Sequence, residues 1–144
     1  EAKIFDGVTD LMKKIKDSGL KIGIVTGSAQ RPLIERVTHD FGDFVSRDQI
    51  TTAFDVKRGK PNPDPYLMGL KKAGNYAPSE GIVVENAPLG VRAGVAAGCY
   101  TVAINSGPLA DSVLINEGAN ILFPTIREFA DNWEEVLNNI SNRC

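Results

Sequence analysis

The sequence predicts an α/β fold: a doubly wound, Rossmann-like parallel sheet with helices on both faces. Short β-branched runs, at 21–26 (KIGIVT) and 81–85 (GIVVE), are typical of buried strands. Segments with apolar residues at helical spacing alternate with these runs, and the connections between them are short. Because no repeat, linker or change of composition divides the 144 residues, we expect one domain over 1–144.

The first half of the chain predicts a helix, a strand, a second helix and a second strand. The first helix ends at Gly19 and is indicated by apolar residues at helical spacing, namely Val8, Leu11, Met12 and Ile15. The strand at 21–26 follows it. Pro32 then suits the first turn of the second helix. We expect the second, short strand around Phe44–Val45.

The second half continues the alternation. Asn62 and Pro63 predict an N-cap and first residue for a helix that ends at Gly74. After the strand at 81–85, Pro88 opens a helix rich in glycine and alanine. Further strands are expected at 100–104 and 120–123, with a helix at 109–116 between them. A final helix begins with Thr125 and Glu128, which fit a capping box.

Composition excludes several classes of function. Hydrophobic residues make up 42% of the chain, and the formal net charge is only −2, without the basic excess of a nucleic-acid-binding protein. No apolar run reaches the length of a membrane span. Cys99 lies in an apolar stretch and is predicted to be a buried thiol, which favours a cytoplasmic location. The single histidine, His39, is expected on the surface, and zinc is not expected.

Residues that follow the first strand could bind an anion. In open parallel sheets, ligands bind beyond the carboxyl ends of the strands. Thr26 and Ser28 offer hydroxyl donors, Gly27 permits a sharp turn with exposed N–H groups, and a helix N-terminus follows at Gln30. The alternative is an ordinary strand-to-helix turn with Ser or Thr capping.

Two further segments carry candidate residues. Glu85 and Asn86 end a strand and could give oxygen ligands to Mg²⁺, although Asn86 is also a plausible N-cap for the next helix. Lys60, held in an extended backbone by Pro61, could reach a phosphate; the alternative is a solvated loop lysine. Arg58 is a neighbouring candidate for the same role, but a solvated loop side chain is the more strongly favoured interpretation for it.

The order and spacing of these segments resemble the haloacid dehalogenase superfamily of phosphotransferases, closest to its β-phosphoglucomutase-like phosphatase and phosphohexomutase group. The strings that carry the resemblance are KIGIVTGS, GKPNPDPYLMGLKKAG and GIVVENAPLGVRAGVAAGCYTVAI. It extends over about residues 5–133.

The resemblance implies a role for each candidate. Thr26 matches the hydroxyl that bonds the transferring phosphoryl group, and Lys60 matches the lysine that stabilises charge on that group. Glu85 and Asn86 occupy the acidic motif that holds Mg²⁺ directly or through water. Ser28 and Gln30, beside Gly27, fall where related mutases contact the substrate's second phosphate.

Two departures from the family matter. The nucleophile, an Asp in an Asp-x-Asp motif on a central strand, is absent from these residues, as is the cap; Asp6 begins a helix and does not match. The metal motif has Asn86 where Asp is usual. We therefore expect the chain alone to be inactive. We also expect a gap between the strands ending at Thr26 and Glu85, unless a missing N-terminal segment or a second chain fills it.

The implied reaction is Mg²⁺-dependent phosphoryl transfer through an aspartyl-phosphate, on a small phosphorylated metabolite such as a sugar phosphate. Water as acceptor makes a phosphatase, and a sugar hydroxyl makes a mutase. Ala29, where a lysine would suit a bisphosphate, favours the phosphatase. The alternatives are a non-catalytic phosphate-binding or assembly module and, less favoured by the order of the parts, a receiver-like signalling domain.

Overall fold

The computed structural model describes residues 6–27 and 30–142. Helices and strands alternate along almost the whole chain. The strands are β1 (Ile24–Val25), β2 (Ile50–Thr51), β3 (Ile82–Glu85), β4 (Tyr100–Ile104) and β5 (Ile121–Phe123). The helices are α1 (Val8–Asp17), α2 (Arg31–Phe41), α3 (Asp64–Gly74), α4 (Pro88–Ala97), α5 (Asp111–Ile115), α6 (Ile126–Asp131) and α7 (Trp133–Ser141). Single 3₁₀ turns lie at Arg47–Gln49, Ala53–Asp55 and Pro78–Glu80.

All strand pairs in the described residues are parallel, and they form two sheets. β1 pairs with β2, with Ile24 opposite Ile50. β4 lies between β3 and β5 in a three-stranded sheet, in which Val84 is opposite Val102. Parallel pairing with helical crossovers confirms the predicted α/β fold.

Apolar side chains cover both faces of the three-stranded sheet. On one face, α1, α6 and α7 pack against β4 and β5 around the fully buried Phe129. Successive side chains of β4 point to opposite faces, so that Val102 joins this cluster and Ala103 packs with Val91 of α4 on the other. The helices therefore lie on both faces, as the doubly wound arrangement requires.

A gap separates the two sheets at the predicted place. β1 and β3 do not pair, and a cavity of about 530 Å³ lies between them. Both strands line it, together with apolar side chains of α1 and α3 such as Leu11 and Leu70. Among the described residues, β1 pairs only with β2 and β3 only with β4, so each presents to the cavity an edge without a described partner. This confirms the expected gap between the strands that lead to Thr26 and Glu85.

The second strand was wrongly predicted. Phe44 and Val45 form a turn after α2, in which both backbone N–H groups donate to the carbonyl of Phe41. Val45 is buried, so its apolar character is explained by packing and not by strand pairing. The strand lies instead at Ile50–Thr51.

Three boundaries also differ from the prediction. β1 covers only Ile24–Val25 of the predicted 21–26, the two residues that lie opposite Ile50 and Thr51 of β2. The N-cap of α3 is Pro63, and the side chain of Asn62 donates to the carbonyl of Gly59 instead. The final helix is divided at Asn132 into α6 and α7, although Thr125 caps it as expected, accepting from the N–H of Glu128. Each helix in the described part of the chain falls short of the length and apolarity needed to cross a membrane.

Candidate functional site

The predicted anion-binding turn lies at the carboxyl end of β1. The N–H of Thr26 donates to the carbonyl of Thr51 at 2.9 Å and so continues the β1–β2 ladder by one residue. This bond fixes the backbone from which the Thr26 side chain projects. Gln30 occupies the N-cap position of α2, but its side chain does not cap that helix. Ser28 lies outside the described residues.

Thr26, Gly27 and Lys60 meet at one small cavity of about 130 Å³. The segment after β2 and the first turn of α3 line the rest of the cavity, with Thr52, Ala53, Val56, Lys57, Gly59 and Pro65. A cavity of this size has room for several water molecules or for a small anion. The cavity thus places a hydroxyl residue, an open turn and a lysine around a volume suited to a small oxyanion.

Glu85 is bound by four donors at the end of β3. Oε1 accepts from Lys60 Nζ and, at 2.7 Å, from Tyr66 Oη. Oε2 accepts from the backbone N–H groups of Asn86 and Ala87, at 2.9 and 3.2 Å, just before α4 begins. Lys60 also lies over the ring of Tyr66, 5.3 Å from its centroid. Glu85 therefore fixes Lys60 at the rim of the small cavity.

The charge state of this cluster follows from its contacts. Burial alone would raise the pKa of Glu85, but hydrogen bonds from Lys60 and Tyr66 outweigh it and hold that pKa below its usual value. Burial and the neighbouring Glu85 carboxylate raise the pKa of Tyr66. At neutral pH, Glu85 is consequently a carboxylate and Tyr66 is a neutral hydrogen-bond donor.

Gly90 makes room for this carboxylate. A Cβ placed on Gly90, in the first turn of α4, would overlap the carboxyl group of Glu85. The carboxylate lies directly against the helix backbone, near an N-terminus whose dipole favours negative charge. A larger residue at position 90 would displace it.

The described residues fit Mg²⁺ only in part. The two oxygens of Glu85 offer about four lone-pair positions, and four donors already take them. Asn86 is exposed, and the N-cap of α4 is Ala87, so the alternative capping role for Asn86 is not observed. Its amide oxygen is a hard ligand of the type that Mg²⁺ takes. Within residues 6–27 and 30–142, no group of three acidic, histidine or cysteine side chains could hold a metal ion.

The other candidates have structural partners or lie apart from the cavity. Arg58 pairs with Asp64 through two hydrogen bonds, at 3.0 and 3.3 Å. Asp6 pairs with Arg127, at the opposite end of the chain. The His39 side chain is 89% exposed, as expected on the surface. Cys99 is buried, and burial raises the pKa of its thiol, which makes it a poor nucleophile.

Tyr66 and Gly90 were not identified from the sequence as site residues. From the sequence, Tyr66 lies only within the helix predicted to end at Gly74, and Gly90 only within the helix rich in glycine and alanine. A usable signal for Tyr66 was its hydroxyl, because a tyrosine on a buried face needs a hydrogen-bond partner. For Gly90 the signal was its position five residues after Glu85, in the first turn of the helix.

Comparison with known proteins places these features in a family. The haloacid dehalogenase-like hydrolase family matches residues 1–104. Hexitol phosphatase A of Escherichia coli (strain K12) is 40% identical over 111 residues, which cover 77% of this chain and 49% of that protein. Validoxylamine A 7'-phosphate phosphatase of Streptomyces hygroscopicus subsp. limoneus is 32% identical over 126 residues, 84% of this chain and 58% of that protein.

A solved structure agrees with these matches. A protein from Bacteroides vulgatus, provisionally described as a beta-phosphoglucomutase, is 49% identical and superposes with a TM-score of 0.89, covering 97% of this chain and 56% of its own. The chain thus spans about half the length of the relatives that it matches. From the family match over residues 1–104 and this shared fold, the chain belongs to the haloacid dehalogenase-like hydrolases.

Proposed function

We propose that residues 1–144 are the phosphate-handling part of a Mg²⁺-dependent phosphotransferase that acts on a small phosphorylated metabolite. The observation that supports this best is the cavity of about 130 Å³, which Thr26, Gly27 and Lys60 line together. These residues come from two separate segments, both at the carboxyl ends of parallel strands, where ligands bind in such folds.

The roles proposed for the side chains follow from their chemistry. Phosphoryl transfer spreads negative charge over three equatorial oxygens, which donors and cations must neutralise. Thr26 would donate its hydroxyl hydrogen to one of these oxygens, and Lys60 would supply positive charge. Because Glu85 and Tyr66 already hold Lys60, the lysine would need little reorganisation during the reaction.

The nucleophile would come from a strand in the gap between β1 and β3. Adjacent strands lie about 4.8 Å apart, and a strand in this gap could pair with both unpaired edges. β3 has four residues, and a strand of similar length would satisfy the edges. Its carboxyl end would lie near Glu85 and Lys60, where an aspartate could attack the phosphorus. This strand would come from residues outside 1–144 or from another chain.

Mg²⁺ is part of the proposal, with Asn86 as a direct ligand. Glu85 would contact the ion through a water that replaces one of its four present donors. The ion usually keeps several waters and binds few protein oxygens together with substrate phosphate. When bound, it would supply positive charge at the transferring phosphoryl group. Asn86 brings no charge of its own, so the site should bind Mg²⁺ more weakly than one with an aspartate at this position.

The substrate class is proposed from the relatives. Two of them are phosphatases, named for a hexitol phosphate and for validoxylamine A 7'-phosphate, and the third is provisionally a phosphomutase. We therefore propose a phosphorylated sugar or polyol as substrate, with water as the favoured acceptor. A cytoplasmic location remains part of the same proposal.

The experiment that tests the phosphate site is a titration of the 144-residue chain with inorganic phosphate, followed by ¹H–¹⁵N NMR. We expect saturable shifts at Thr26, Gly27 and Lys60. Lys60→Ala should remove them, while circular dichroism confirms an unchanged fold. Shifts confined to other residues, or equal binding by the Lys60→Ala variant, would contradict the proposal.

A second candidate is a non-catalytic phosphate-binding module, which the absence of an Asp-x-Asp motif from residues 1–144 favours. The two candidate functions predict different results when a peptide that supplies the missing strand is added. An added peptide with an apolar run followed by Asp-x-Asp should enter the gap and produce Mg²⁺-dependent hydrolysis if the chain is part of an enzyme. Peptide binding without hydrolysis favours the module.

A further inference from the structure

Two of the three cations in the segment 57–60, which passes the small cavity, have carboxylate partners. Lys60 pairs with Glu85, and Arg58 points to Asp64. Each of these positive charges therefore has a carboxylate partner. The paired charges nearly cancel at a distance, so they contribute little net attraction for an anion that enters the cavity.

Lys57 differs from these cations. It lines the same cavity as Thr26 and Lys60, and it is exposed. Across residues 6–27 and 30–142, no carboxylate lies within ion-pair distance of Lys57 and its side chain makes no hydrogen bond. Its ammonium group is thus available to a ligand at the rim of the cavity.

Side chains next to Lys57 make hydrogen bonds that restrain this segment. Asp55 accepts from the N–H of Thr52 at 2.7 Å and from Lys72 at 2.9 Å. Arg58 donates two side-chain bonds to Asp64. Lys57 lies between these two contacts, and its own side chain becomes ordered when a ligand binds.

We propose that Lys57 is a second phosphate-binding cation of this site, in addition to Lys60. The inference rests on the proposed function and extends it. Lys60, neutralised by Glu85, gives a directed hydrogen bond near the reacting centre, whereas Lys57 supplies the net charge that attracts a phosphate dianion from solvent. The site would then favour phosphate monoesters, which carry two negative charges, over diesters, which carry one.

The test is a titration of the 144-residue chain with inorganic phosphate in three variants. For Lys57→Gln, we expect phosphate to bind about threefold to fivefold more weakly, in line with a partly exposed ion pair. Lys57→Arg should restore most of the affinity. Lys71→Gln is the matched control, because Lys71 is an exposed lysine in the last turn of α3, away from the cavity. The loss should also shrink in high salt.

Other results would overturn the inference. Equal affinity in the parent and Lys57→Gln would show that Lys57 does not contact phosphate. Equal losses in Lys57→Gln and Lys71→Gln would assign the effect to overall charge. If Lys60→Ala abolishes binding while Lys57→Gln leaves it unchanged, this inference fails and the proposed function stands. If the parent does not bind phosphate, both fail.

Discussion

Gly90→Ala should destabilise the protein through Glu85, although alanine is the better helix former. The new Cβ would overlap the Glu85 carboxyl group, which must move by roughly 1 Å or more to restore an ordinary contact of about 3.5 Å. Its hydrogen bonds from Tyr66 and from the N–H of Asn86 are 2.7 and 2.9 Å long, so such a shift takes them beyond hydrogen-bonding range.

The expected change in the free energy of unfolding of Gly90→Ala combines two opposing effects. A lost hydrogen bond to a charged group costs about 1.5–3 kcal/mol, and replacing a helical glycine by alanine recovers about 1 kcal/mol. With two such bonds lost, we expect Gly90→Ala to lower the free energy of unfolding by about 2–5 kcal/mol.

Urea denaturation followed by circular dichroism measures this change. Gly107→Ala is the control, because a Cβ at Gly107 meets no atom within 4 Å. It should leave stability within about 0.5 kcal/mol of the parent. A Gly90→Ala variant as stable as the parent would refute the close packing of Glu85 against α4.

Three further predictions follow from burial and charge. Phe129→Ala should lower the free energy of unfolding by about 3–5 kcal/mol in urea denaturation, because Phe129 is fully buried; a loss under about 1 kcal/mol would contradict that packing. Hydrogen bonds hold the pKa values of Asp55 and Glu85 below their usual range, so both side chains stabilise the fold as carboxylates. The free energy of unfolding should therefore be highest above their ordinary pKa values of about 4 and should fall as the pH drops below them. Asp55→Asn should weaken this pH dependence, measured by urea unfolding at several pH values. Asn86→Asp should bind Mg²⁺ roughly tenfold more tightly by calorimetric titration, and unchanged affinity would argue against Asn86 as a ligand.

Strands with a clear β-branched run were predictable from sequence, and the strand without such a run was not. β3 and β4 appear as β-branched runs between glycines, and the structure places both within one residue of the prediction. β2 could not be found in this way, because Ile50–Thr51 is short and follows a polar run at 46–49. The buried Val45 gave a stronger apolar signal, but its backbone bonds close the turn after α2.

The candidate site was predictable in its parts but not in its contacts. Position after a strand identified Thr26 and Glu85, and the following proline drew attention to Lys60. The pairing of Lys60 with Glu85 joins two segments that lie 25 residues apart in sequence, which local spacing does not specify. For the same reason, the sequence indicated neither the hydroxyl of Tyr66 nor the unpaired charge of Lys57.

In the proposed function, Thr26, Lys60 and Glu85 support phosphoryl transfer, and residues 1–144 lack the nucleophile. Release of inorganic phosphate from p-nitrophenyl phosphate with Mg²⁺, measured for the 144-residue chain and its Lys60→Ala variant, tests both points together. We expect no release above background from either protein, although the parent binds phosphate. Steady release by the parent that Lys60→Ala abolishes would show that a nucleophile lies within these residues and would refute the proposal.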